Sequence, residues 1–302
     1  MVDSTILVMG QIGRDLILTV EQFPGAGGSV DVGTRHEILG GKGVNQAVGM
    51  VQLGAPVTLL GVTGADPAGE GLLRSLRDDG IGAEWVVRRG VSALLLDVVD
   101  ADGERRLLEH VPDESLLGVD DVRGAEEAFR AADTVCLQLQ QPAATLLEAA
   151  RLAVDAGARV VLDGAVTDPE KQGLLSAASV VRADAHEAQL LTGVAMRDSG
   201  AAVNTARSLI DGGVEVVAFG VEGVGDIVAW DGGHRFFPFG QGKADVTGGG
   251  DAFLAGLVVG LRAGCAPGEA GELAAACRDS AVQRLGGRPD LTGLAPTNSR
   301  VG

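Results

Sequence analysis

Short, nearly continuous apolar runs alternate along the chain with segments whose apolar residues recur at helical spacing. STILVMG (Ser4–Gly10), PVTLLGVTG (Pro56–Gly64), TVCLQL (Thr134–Leu139), RVVLDG (Arg159–Gly164), SVVRAD (Ser179–Asp184) and VEVVAFG (Val214–Gly220) are rich in β-branched residues. They have the profile of strands buried on both faces. Between them, GKGVNQAVGMVQLG (Gly41–Gly54) spaces Val44, Ala47, Val48, Val51 and Leu53 as a helix requires, with Gly54 as its stop. PAGEGLLRSLRDDG, the stretch Ala143–Ala156, the stretch from Glu187 and two segments near the end of the chain repeat that pattern. Such alternation predicts an α/β fold, a parallel sheet with helices on both faces.

Two stretches break the rhythm. DLILTVEQFPGAGGSVDVGTRHEIL (Asp15–Leu39) reads as two strands around a Pro/Gly turn. EWVVRRGVSALLLDVVDADGERRLLEHVP (Glu84–Pro112) reads as three more, the last two joined at Asp102–Gly103. Either these are two surface hairpins, or they pair into a small accessory sheet over the edge of the main one, suited to act as a lid. The lid strands are expected from about residue 14 to 39 and 84 to 112, inserted in a single domain spanning 1–302. No internal repeat, low-complexity tract or domain linker is visible.

Composition narrows the partners. The chain has 302 residues, 46% hydrophobic and 22% charged, which is globular composition with room for a large core. With 41 acidic and 24 basic residues the net charge is −17, which argues against nucleic acid or an anionic membrane as main partner. A small anionic ligand is still compatible, since clustered amides can hold a phosphate inside an acidic protein. Cys136, Cys265 and Cys277 are scattered and odd in number, fitting a reduced cytoplasmic setting. The opening MVDSTILVMG carries an acid and no basic region, so it reads as a first strand rather than a signal peptide. No apolar run approaches the ~20 residues of a membrane span. The histidines (His36, His110, His186, His234) lack metal-ligand spacing, and there is no G-x-S-x-G elbow.

The most specific chemistry is in DVTGGGDAF (Asp245–Phe253), where three glycines and an acid open an apolar helix. A helix N-terminus presents N–H groups without intrahelical acceptors and the positive end of the macrodipole. Gly248, Gly249 and Gly250 let those groups converge on an anion. Asp251 beside that anion suits a reaction, taking or orienting the proton of an attacking hydroxyl while the amides absorb charge. The plain alternative is a glycine-rich helix start with a capping acid. A second glycine-led helix start, LGGKGVNQA (Leu39–Ala47), adds Lys42 and Asn45. It is not a Walker A loop, because position 36 is His and Gly43 follows Lys42. Neither motif has the strand, G-x-G-x-x-G and distant acid of a dinucleotide fingerprint.

Together the two motifs resemble the N- and C-terminal signatures of the ribokinase-like (PfkB) family of sugar and nucleoside kinases. The resemblance extends to GQIGRD (Gly10–Asp15), the lid insertions, LQLQ, AFGVEG and the closing RLGGRPD. It implies a three-layer ribokinase-like fold and an ATP- and Mg²⁺-dependent kinase acting on a hydroxyl of a small carbohydrate. Asp251 is then the catalytic base, with an ordinary pKa sufficing, and Gly248, Gly249 and Gly250 form the anion hole around the γ-phosphate. Asp15, Gly41, Lys42, Gly43, Asn45 and Gln140 match substrate-cradling positions. Asp184 and Glu187, in RADAHEA, fall on the family's N-x-x-E motif near Mg²⁺ and the phosphates, with Asp in place of Asn. His186 reads as part of a solvated helix start. Gly220, Glu222 and Gly223 correspond to the nucleotide-binding loop. Asp245, Thr247, Ala281, Arg284, Gly286 and Asp290 resemble a monovalent-cation site, with K⁺ as candidate activator.

Two departures bear on the acceptor. Gly13 replaces the Asn of ribokinases proper, and Gln140 replaces an acid, so ribose specificity does not carry over. Tyrosine is absent; Phe23 or Trp85 on the lid are the candidates to stack on a base. The alternatives are a nucleoside kinase of the same fold or a non-catalytic sugar or nucleotide sensor. A homodimer through the exposed lid strands is expected.

Overall fold

A computed structural model describes residues 5–167, 169–240, 248–283 and 288–295. Among these the strands are β1 (Thr5–Met9), β2 (Gly13–Val20), β3 (Val32–Gly40), β4 (Val57–Leu60), β5 (Val62–Thr63), β6 (Val87–Arg88), β7 (Ala93–Val99), β8 (Arg105–His110), β9 (Ala132–Gln138), β10 (Arg159–Asp163), β11 (Val180–Ala183), β12 (Val216–Val221), β13 (Gly225–Trp230) and β14 (Gly233–Pro238). The helices are α1 (Lys42–Gln52), α2 (Pro67–Asp78), α3 (Val119–Gly124), α4 (Glu126–Ala131), α5 (Ala143–Asp155), α6 (Lys171–Ala177), α7 (Ala185–Thr192), α8 (Ser199–Asp211), α9 (Gly249–Arg262) and α10 (Pro267–Ala281).

The main sheet runs β14-β13-β12-β11-β10-β9-β1-β4, parallel from β4 to β12. Successive side chains of a strand point to opposite faces, and β1 shows it. Ile6 and Val8 join the core that contains residues of α1, α9 and α10, whereas Leu7 and Met9 join the one that contains residues of α5, α7 and α8. Burial on both faces explains why these strands read as unbroken apolar runs. Helices α9 and α10 come close enough that a Cβ at Gly256 would meet the backbone of Ala274 at 2.8 Å. The antiparallel pair β13–β14 at one edge lies outside the strand–helix alternation read from the sequence. Its turn at Asp231–Gly232 is the local signal.

The accessory sheet has the order β3-β2-β7-β8, with β2 and β7 parallel and the outer strands antiparallel to them. The expected third strand of 84–112 does not join it: Val87–Arg88 pairs with Val62–Thr63 instead. Trp85 and Val87 pack against the main core, which pulls this segment away from the accessory sheet. Trp85 is therefore not placed to stack on a ligand, and Phe23 lies under the guanidinium of Arg106, 3.8 Å from its ring centroid.

Candidate active site

The carboxyl ends of parallel strands, where the strand order reverses, are the usual ligand crevice of α/β sheets. Here β1, β9, β10 and β11 end beside Gln11, Gln140, Asp163 and Arg182, and the tip of α9 faces them. Each glycine of the triplet has its own reason. Gly248 adopts the left-handed conformation (φ 73°) that turns the chain into the helix. A Cβ at Gly249 would press on Val282 of the segment after α10, at 2.9 Å. One at Gly250 would collide with the guanidinium of Arg182. Among the described residues the first bond of this turn runs from the Ala252 N–H to the Gly248 carbonyl, and the N–H groups ahead of it at the helix tip have no described intrahelical acceptor.

Asp251 is buried at this tip. Its Oδ2 accepts from Asn45 Nδ2 at 3.3 Å and its Oδ1 from Gln46 Nε2 at 3.0 Å. The same Gln46 amide donates to Asp163 Oδ2 at 2.8 Å, so one side chain ties two carboxylates together. Burial, then the nearby Asp163 charge, pushes the Asp251 pKa up to about 6, against the pull of Lys42, Gln46 and Arg182. Desolvation brings this acid closer to neutrality, where a general base works best.

Arg182 donates through Nη1 to Asp163 Oδ1 at 2.9 Å and lies 3.7 Å from Glu187 Oε2. Glu187 Oε1 accepts from Lys42 Nζ at 2.6 Å. Burial disfavours charge on Lys42, yet Asp163, Glu187 and Asp251 raise its pKa. Burial likewise opposes ionisation of Glu187, but Arg182 and Lys42 lower its pKa. Glu187 and Asp184 form a reciprocal cap on α7: the Glu187 N–H donates to Asp184 Oδ1 at 2.7 Å, and the Asp184 N–H to Glu187 Oε2 at 2.9 Å. Glu187 therefore acts as the partner of Lys42 and Arg182.

Two cavities meet at this point, sharing Arg182, Asp184 and Gly250 as a common wall. One, about 500 Å³, gathers Asp15, Gly41, Lys42, Asn45 and Gln140 with Gly248, Gly250 and Asp251. Gly43 does not line it and instead packs its backbone on Gly10. The other, about 390 Å³, gathers Asp184, Gly220, Glu222 and Gly223. His186 is exposed in the first turn of α7, as a solvated helix start requires, and borders this second cavity. Of the proposed monovalent-cation residues, Asp245, Thr247, Arg284 and Gly286 lie outside the described residues. Ala281 closes α10, and the Asp290 carbonyl accepts from Ser280 Oγ at 2.9 Å.

The first cavity is polar and partly unsatisfied. Asp15 Oδ1 and Asn45 Oδ1 are buried without a hydrogen-bond partner among the described residues. Gly40 leaves room for the Asp15 carboxyl, which a Cβ there would strike. Burial, then the neighbouring Asp97, pushes the Asp15 pKa up to about 7. Asp97 and Arg105, joined at 2.8 Å, add an ion pair from β7 and β8 that the sequence did not reveal as part of a site. A side chain at Gly13 would meet Leu95 Cδ1, so Leu95 fills the room left by that departure.

Fold and site together define an ATP-dependent carbohydrate kinase, a phosphotransferase with an alcohol acceptor. The chain belongs to the pfkB family of carbohydrate kinases, which it matches over residues 3–292. It is 29% identical to a ribokinase of Haemophilus influenzae over 262 residues, 85% of each chain. It is also 29% identical, over 257 residues, to an ATP-dependent ribose-1-phosphate kinase of Halopiger xanaduensis, covering 84% of this chain and 83% of that one. Its fold matches that of an Arabidopsis thaliana ribokinase complexed with ribose and ATP, with TM-score 0.81, 24% identity, and coverage of 96% of this chain and 97% of the other.

Proposed function

We propose that the polar cavity takes a small sugar with free hydroxyls and that the second cavity takes ATP. The observation that carries this reading is the placing of Asp251, buried at the α9 tip where both cavities meet. The unpartnered oxygens of Asp15 and Asn45 call for hydroxyl groups, because a buried acceptor left unpaired costs about 1–3 kcal/mol. A phosphorylated acceptor fits less well, since Asp15, Asp97, Glu109 and Asp251 all face the same space. Among the described residues the lining contains no aromatic ring, which favours a sugar over a nucleoside.

In the reaction so read, the acceptor oxygen bonds to the γ-phosphorus as the bond from that phosphorus to the ADP oxygen breaks. The acceptor proton passes to Asp251, the electron pair of the broken bond leaves with ADP, and the amides at the α9 tip receive charge from the transferred group. No group of three or more His, Cys, Asp or Glu suited to a metal occurs among the described residues. Asp184 at the shared wall suits Mg²⁺ carried in on nucleotide phosphates, with Glu187 behind it, because Mg²⁺ takes one or two carboxylates plus phosphates and water. When bound, Mg²⁺ supplies charge neutralisation on those phosphates. K⁺ is proposed as an activator through the closing segment.

Turnover of acceptor measured by ADP release tests the reading: release should depend on a sugar, and the sensor alternative requires none with any sugar or nucleoside. Its pH dependence follows from the pKa of Asp251. Asp251 holds its own proton below about pH 6 and Asp15 below about pH 7, so kcat/KM should rise with pH from 5 and level off above about pH 8. A flat profile from pH 5 to 8 contradicts Asp251 as base.

The accessory sheet is proposed to close over the sugar and exclude water. Its outer strands β3 and β8 expose Val32, Leu107 and Leu108, and pairing two such sheets in a homodimer would cover them. Sedimentation should give a dimer at micromolar concentration; a monomer alone contradicts it. Cys136, Cys265 and Cys277 are free thiols, which suits a cytoplasmic setting.

A further inference from the structure

We propose that Arg182 is a catalytic residue: one nitrogen of its guanidinium is anchored on Asp163, and the other is held for the phosphoryl group as it crosses between the cavities. This rests on the reading of the two cavities given above. Three observations carry it. Arg182 lines both cavities, and among the described residues Asp184 and Gly250 alone share that property. Its Nη2 lies against the Cα of Gly250 at the tip of α9, close enough that only glycine fits. The guanidinium thus adjoins the N–H groups at the tip of α9. Finally, it is buried, and its Nη1 is fixed by Asp163 and lies near Glu187.

Charge balance at the wall gives the reason. Asp184 and Asp251 line the space a phosphoryl group would enter, while Asp163 and Glu187 stand behind it, bonded to Arg182 and to Lys42. Acid at position 184 adds a negative charge next to incoming phosphate. Arg182, two residues earlier at the end of the same strand, offsets it. Arginine suits this position because its planar fork can hold Asp163 with one edge and present N–H to phosphate oxygens with another. A buried arginine is expensive to keep dry, and both carboxylates near it, Asp163 and Glu187, lie on its Nη1 side. During transfer Arg182 stays protonated; the proton of the acceptor still goes to Asp251, and the electron pair of the broken P–O bond leaves on ADP.

The test is steady-state kinetics, nucleotide binding and melting of Arg182→Ala and Arg182→Lys in the full chain. Arg182→Ala should lower kcat by about 10²–10³-fold, the scale of losing one preorganised donor to the transition state. The Kd for ATP should stay within about tenfold, and millimolar guanidinium should restore part of kcat. Arg182→Lys keeps a charge for Asp163, so it should fold where the truncated form melts, yet lose at least tenfold in kcat because a point charge cannot serve both partners. Wild-type kcat in Arg182→Lys, or a loss confined to the KM for ATP or to the melting temperature, overturns the assignment. Failure of the cavity reading shows differently: the wild type itself would then bind no ATP.

Discussion

Replacing Asp251 by Asn is expected to lower kcat by about 10³-fold or more while leaving the Kd for sugar and for ATP within a few-fold of the wild type. The amide keeps the shape of the side chain and its place at the α9 tip, but it cannot take a proton. General-base catalysis contributes about 10²–10⁴-fold, and loss of in-line aim adds to it. Inactivity through unfolding is separable by melting. Asp251 is raised from 3.8 to about 6, so its ionisation in the folded state opposes folding. Between those two pH values the native state binds the additional proton, so stability falls as pH rises, and the full cost is present above pH 6. Its size is on the order of 3 kcal/mol. Asn removes that charge, so the variant should melt at or above the wild-type temperature at pH 7. A variant that is cold-labile, or that retains kcat, contradicts the role given to Asp251.

The second large effect concerns the acceptor. Asp15→Ala should raise the KM for the sugar about 100-fold with kcat changed less than tenfold. Asp15 is buried in the polar cavity with Oδ1 unpartnered, so its contribution is made to the bound ligand and not to the empty fold. Each hydrogen bond to a charged group contributes about 1.5–3 kcal/mol, or about ten- to a hundredfold in affinity. On this reading Asp15 holds hydroxyls that do not react, so it holds ground and transition states alike, and uniform binding appears in KM. Isothermal titration of sugar into the ATP-free variant checks this independently. An unchanged KM would place the acceptor elsewhere.

Much of the frame was legible because local rules governed it. The buried strands β1, β4 and β9 to β12 announce themselves by continuous apolar runs, and the glycine-led starts of α1 and α9 by the anion-binding logic of helix tips. Lys42, Asn45 and Asp251 sit at those starts, Asp15 follows the first strand in GQIGRD, where the family resemblance marked it, and the structure brings all four to one cavity. Gln46, Asp163 and Arg182 were not legible as a site. Their partners lie far away in sequence, and pairing them depends on the order of the strands. A weaker signal did exist: Asp163 in RVVLDG and Arg182 in SVVRAD are charged residues at the ends of otherwise apolar runs, where a charge is costly unless it has a partner. Strand Val87–Arg88 was assigned to the wrong sheet because a two-residue strand carries too little pattern to fix its partner. Tertiary packing of Trp85 and Val87 on the main core decided it.

The central claim is that an acceptor hydroxyl and the γ-phosphoryl of ATP meet between Asp251 and the free N–H groups of the α9 tip. A crystal structure with a non-hydrolysable ATP analogue, Mg²⁺ and a turned-over sugar tests it most directly. The expected result is a sugar hydroxyl within about 3 Å of an Asp251 carboxylate oxygen, with the terminal phosphate on the amides of Gly249 and Gly250. A sugar bound outside the cavity of Asp15 and Asn45, or phosphates that leave the α9 tip bare, would contradict it.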